Sequence, residues 1–201
     1  MKATRSLPEQ ASFYHSLNLA SRKMMVAQNV AGIVLFFFFG WIFMGVAAAI
    51  NPHFFILSIR IFVGTLTVFW FLLTAVSIII IHEIIHAIGF YWFTRERPEI
   101  GFHILYAYAS APNWYFTRNQ FILIGILPFM LITSVGLMLM PFVNLITLPR
   151  LILALTLNAA GSIGDIIVVL WLVSQPSKAW IRDKGSFIAL YHESTANNKN
   201  E

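Results

Sequence analysis

Two histidines and a glutamate, His82, Glu83 and His86, interrupt the apolar run IIIIHEIIHAIGF at residues 78–90. Their spacing is H-E-x-x-H. Side chains four apart on a helix project from one face, so both imidazoles can reach a single metal ion. The glutamate beside the first histidine can then activate a water at that ion, which is the chemistry of metal-assisted hydrolysis. The chain has no cysteine, which excludes thiolate ligands and a disulfide framework and leaves His, Asp and Glu to hold a metal. A catalytic zinc usually takes three protein ligands and one water, so a third ligand must come from elsewhere. Of the eight acids, Glu9, Glu96, Glu99, Asp183, Glu193 and Glu201 lie in polar flanks, and only Glu83 and Asp165 lie in or against apolar segments. An unpaired carboxylate in such a segment is costly and needs a partner, which makes Asp165 the expected third ligand. The competing reading is that His82 and His86 merely mark a membrane interface, but it gives no reason for Glu83 to stand between them.

These residues must be positioned by membrane-type elements. Apolar residues make up 59% of the chain and charged residues 10%, against roughly 25% charged in soluble domains. Four stretches reach the length of about 20 apolar residues that a spanning helix needs: residues 30–50, 61–93, 121–143 and 151–173. The expected fold is an all-α integral membrane protein of about four transmembrane helices, a single membrane domain over residues 1–201 with a polar tail at 194–201. Residues 101–111, which end at Pro112-Asn113, read as a strand or hairpin at the interface between the second and third spans. Along the fourth span, Asn158, Gly161, Ser162 and Asp165 form a small and polar stripe that lets another helix approach closely. Measured from the basic flanks, Asp165 lies about 6 Å deeper than His86, a mismatch that tilt or unwinding at Gly161 or Gly164 would absorb.

Charge sets the expected orientation. Four spans put Lys2, Arg5, Arg22, Lys23, Arg95, Arg97, Arg118, Lys178, Arg182, Lys184 and Lys199 on one side, and Arg60 and Arg150 on the other. Positive residues stay inside, so both termini are expected in the cytoplasm, most simply at the plasma membrane. Ala47-Ala48-Ala49 resembles a signal cleavage site, but the apolar core before it is long for a signal and is read as a span. The net charge of +5 flanks the apolar runs instead of forming a patch, which argues against nucleic acid. Oligomeric state cannot be read from the residues.

HEIIH in the second span and GSIGD in the fourth resemble a family of small multi-pass membrane proteins of unestablished function described as zincin peptidases. More distantly they resemble the site-2 class of intramembrane metalloproteases. The resemblance covers residues 20–175. It implies one zinc ion held by His82, His86 and Asp165, with Glu83 as general base. It also implies a substrate strand that would include Phe102, Ile104, Tyr106 and Tyr108, and a role for Asn158 in donating to the substrate carbonyl. The site-2 class usually has Asn-Pro ahead of its aspartate and often Gly after it, whereas here Asn158-Ala159 precedes and Ile166 follows.

The expected function is therefore a zinc metalloprotease that cuts membrane-embedded or membrane-proximal polypeptides. A non-enzymatic binding or assembly factor on the same fold is the alternative. A metal transporter fits poorly, because no relay of acids crosses the spans.

Overall fold

Long apolar runs make long helices, and the helices of this protein follow those runs. The structure is a computed structural model that describes residues 3–9, 11–54, 67–102, 107–185 and 187–193. Helix α1 (Arg22–Ile50) starts at Ser21, whose side chain accepts the Met24 amide, and ends at Asn51 ahead of Pro52. Helix α2 (Thr67–Thr94) carries the H-E-x-x-H run. Helix α3 (Arg118–Leu139) opens on a reciprocal cap: the Gln120 amide donates to the Thr117 hydroxyl, and the Thr117 amide donates to the Gln120 side chain. The fourth apolar stretch forms two helices, α4 (Leu148–Gly161) and α5 (Ile163–Val173), bent by 44° where they meet. Buried Ser162 makes that joint. Both its amide and its hydroxyl donate to the Asn158 carbonyl, at 3.0 and 2.7 Å, a back-bond that bends helices.

Among the described residues, three helices are long and apolar enough to cross a membrane, and the bent pair makes a fourth if it counts as one span. The outward residues are themselves apolar, with Phe37, Trp41 and Val68 among those exposed. Such an outward face is compatible with helices that cross a membrane. Helix α1 packs on α4, and α2 contacts α3 and α4. Gly40 makes the first approach close, since a Cβ there would stand 3.4 Å from Thr156 Cγ2.

The all-α expectation fails at the flanks. Strands β1 (Ala11–Asn18), β4 (Phe116–Thr117), β5 (Trp180–Asp183) and β6 (Phe187–Glu193) form an antiparallel sheet in the order β1-β6-β5-β4. These segments are short and mix aromatic, aliphatic and polar residues, so a window tuned to 20 apolar residues passes over them. Their pairing joins parts of the chain far apart in sequence, which no local pattern reports. The N-terminal segment adds a further bridge, with the Thr4 and Tyr115 amides exchanging hydrogen bonds at 3.0 and 2.7 Å. Next to it Arg5 pairs with Glu96, which also accepts from the Trp114 indole at 3.2 Å. A separate hairpin, β2 (Glu99–Phe102) with β3 (Ala107–Ser110), falls where a strand or hairpin is expected. The expected tail at 194–201 and the start of the second span, 61–66, lie outside the described residues.

Two apolar clusters hold these layers together. One, where bundle meets sheet, includes Ala87, Phe90, Phe116, Phe121, Ile124, Val168, Leu172, Ile181 and Leu190. The other, between α1, α3 and α4, includes Phe43, Ala47, Met140, Leu148, Leu155 and Ala159. Along the α4–α5 pair, Asn158 and Asp165 fall between Leu155 of the second cluster and Val168 of the first.

Candidate metal centre

His82 and His86 lie one turn apart on α2, their ring centroids 4.9 Å apart. The bend at Ser162 directs α5 so that Asp165, in its first turn, meets both rings. Asp165 Oδ2 is 3.0 Å from His82 Nε2, and Oδ1 is 3.4 Å from His86 Nε2. One ligand atom from each of the three residues lies within 4.8 Å of the other two. Both imidazole side chains are close to buried, at 12% and 10% exposed, while the Asp165 side chain is 28% exposed.

The other ring nitrogens show how the site is set. His82 Nδ1 donates to Asn158 Oδ1 at 3.0 Å, and His86 Nδ1 donates to the Ile124 carbonyl at 3.0 Å. An oxygen of a carbonyl or amide can only accept, so the single proton of each neutral ring sits on Nδ1. With both rings neutral, both Nε2 lone pairs then face the Asp165 carboxylate. Protonating both rings would place two imidazolium ions 4.9 Å apart in an apolar setting, where they repel. A divalent cation satisfies all three acceptors at once. The donor set suits zinc: two imidazole nitrogens and a carboxylate oxygen are its usual nitrogen and oxygen ligands, and these atoms lie within 4.8 Å of one another.

Glu83 is half-buried beside this cluster, and the Ala109 backbone of β3 lies against its carboxylate. The hairpin therefore stands at the rim of the site. Tyr108 pairs with Gly101 across the hairpin and its ring lies over that residue: a Cβ on Gly101 would be 2.4 Å from Tyr108 Cζ. Phe102 ends β2, while Ile104 and Tyr106 lie outside the described residues. Asn158 is buried, and its Nδ2 has no hydrogen-bond partner among the described residues.

The structure thus brings His82, His86, Asp165, Glu83 and Asn158 together, and sets Tyr108 on the neighbouring hairpin. Sequence reasoning missed the Ile124 carbonyl and the Ala109 backbone. Both are main-chain groups, which residue type does not announce.

No curated protein and no solved structure matches the chain. A family match does exist, over residues 75–180, which is more than half of the chain and runs from the middle of α2 into β5. That stretch holds the two histidines, the glutamate, the aspartate and the bent helix pair that joins them, and on this match the chain belongs to the family described as "Putative zincin peptidase".

Proposed function

We propose that the protein is a multi-pass membrane zinc metallopeptidase acting on membrane-embedded or membrane-proximal polypeptides. One observation carries this reading: the Nε2 atoms of two histidines and a carboxylate converge beside a glutamate, while an oxygen acceptor holds the Nδ1 side of each ring. His82, His86 and Asp165 would hold one zinc ion, which supplies Lewis acidity towards a water and towards the scissile carbonyl. Glu83 takes the proton of the attacking water and returns it to the leaving amine. The Asn158 Nδ2, buried and unpartnered, is a donor available to the carbonyl oxygen as charge develops on it. The β3 strand, which lies against Glu83 at Ala109, offers its edge to an extended substrate by strand addition, with Phe102 and Tyr108 on the hairpin strands and Ile104 and Tyr106 in the sequence that joins them. A transmembrane substrate helix must unwind there, since a helix hides its backbone within itself.

The basic residues support a plasma-membrane placement with both termini in the cytoplasm, eleven lying on that side against two. The second reading, a binding or assembly factor that keeps the fold, is favoured by no particular observation but predicts a different outcome for one substitution. Glu83→Gln leaves the zinc ligands intact and removes the base. A peptidase loses roughly 10²–10⁴-fold in rate while zinc content stays at the wild-type level. Comparing membrane proteomes of cells carrying wild type or Glu83→Gln reads this out through uncut substrates. Identical proteomes would sink the peptidase reading in favour of the binding factor.

A further inference from the structure

The third span contains a proline well inside it, Pro128, which is buried within α3. A helical amide at position 128 would donate to the carbonyl four residues earlier, and proline has no amide to donate. That carbonyl belongs to Ile124. Its ring also crowds the carbonyl and tilts it away from the helix axis. A buried carbonyl without a donor must find one elsewhere, and here the donor is His86 Nδ1–H at 3.0 Å. Gly89, three residues beyond His86 on α2, packs directly against the Ile124 side chain, since a Cβ there would stand 3.4 Å from Ile124 Cγ1, so this part of α2 lies on the same turn of α3 that carries the carbonyl.

We propose that Pro128 is a positioning residue for the metal centre: by withholding an amide from Ile124 it reserves that carbonyl for His86, fixes the Nδ1–H tautomer and turns Nε2 towards Asp165. The inference rests on His82, His86 and Asp165 being the ligands. It differs from a general packing role for a helix kink, because it assigns the effect to one hydrogen bond and one ring. Outer partners of ligating histidines typically contribute 10–100-fold in metal affinity, and Pro128 would control such a partner without touching the ion.

Pro128→Ala tests this, because it restores the amide while removing a residue that helices disfavour. The full chain is purified in detergent, labelled with ¹⁵N-histidine and titrated with zinc against a competing chelator. Pro128→Gly serves as a second variant that also restores the amide. Pro149→Ala is the control, since Pro149 lies at the start of α4 where no helical amide is missing. The expected result is zinc affinity weakened about 10–100-fold in both Pro128 variants. In the metal-free protein the His86 ring nitrogens, assigned by their loss in His86→Ala, should shift from the Nδ1–H form towards a mixture of tautomers. Pro149→Ala should match wild type in both. Unchanged affinity, or weakened affinity with the His86 tautomer intact, overturns the inference. Retention of wild-type zinc affinity by His86→Ala would instead overturn the ligand assignment beneath it.

Discussion

Asn158 and Asp183 are both buried polar residues, and their surroundings ask opposite things of them. Asn158 Oδ1 holds the His82 Nδ1 proton, so Asn158→Leu, similar in size but without an acceptor, should weaken zinc about 10–100-fold. Asn158→Asp keeps the acceptor and should retain metal. Chelator competition distinguishes the two, and equal affinity in wild type and the leucine variant would remove Asn158 from the site. Asp183 sits on β5 outside the helices, where burial pushes its carboxyl up from the ordinary 3.8 to about 7, against the lowering effect of the Gly185 amide that donates to it. Between these values the unfolded chain releases a proton that the folded chain keeps, so stability is full below about pH 4 and declines as pH rises to about 7. Asp183→Asn preserves the acceptor for Gly185 and removes the charge. It should melt about 3 °C or more above wild type at pH 8 and level with it near pH 4, as a thermal unfolding series would show. Residue type alone marked Glu83, His82, His86 and Asp165 as candidates, because ionisable groups in apolar runs are conspicuous. Ile124 was invisible in the sequence since its contribution is a carbonyl, although Pro128 marks which carbonyl lacks a helical donor.

Among the elements, the helices were legible and most of the strands were not. Helix boundaries follow apolar length and local caps such as Ser21 and Thr117, whereas β1 finds its partner β6 at the other end of the chain. The depth mismatch between Asp165 and His86 left tilt or unwinding at Gly161 or Gly164 to absorb it, and the helix does end at Gly161. The reason lies one residue on, where Ser162 bonds twice to the Asn158 carbonyl. Packing between helices also has a sharp test. A Cβ at Gly136 on α3 would lie 2.3 Å from Leu155 Cδ2, and Leu155 of α4 is fully buried. Gly136→Ala should destabilise by about 1–3 kcal/mol through overpacking. Combined with Leu155→Ala it should cost less than the sum of the single changes, because the second change removes the clash. Denaturant unfolding of the four proteins measures this, and additive costs would refute the contact.

For the whole molecule, the sheet constrains the path of the chain. Strand β1 precedes α1, β4 lies between α2 and α3, and β5 and β6 follow α5, yet all four belong to one sheet. If α1 crosses a bilayer, α2 must return, and if α3 crosses, α4 and α5 must return together. The bent pair has 14 and 11 residues, roughly 37 Å at helical rise, enough for a bilayer core of about 30 Å. Reporter tags at both ends should therefore report the same side, the cytoplasm, and a tag at Asn144, between α3 and α4, the opposite side. A tag at Asn144 found on the side of the termini would break this topology.

The sequence by itself determined the long helices and the candidate metal ligands, and offered a strand or hairpin after α2, because hydrophobic length, charge and residue chemistry are local properties. Only the tertiary structure decided that Asn158 and the Ile124 carbonyl set the two rings, that Ala109 reaches Glu83, and that a sheet built from distant flanks closes one end of the bundle. Those contacts join groups that are remote along the chain or carried by the backbone, and they exist only once the helices have packed.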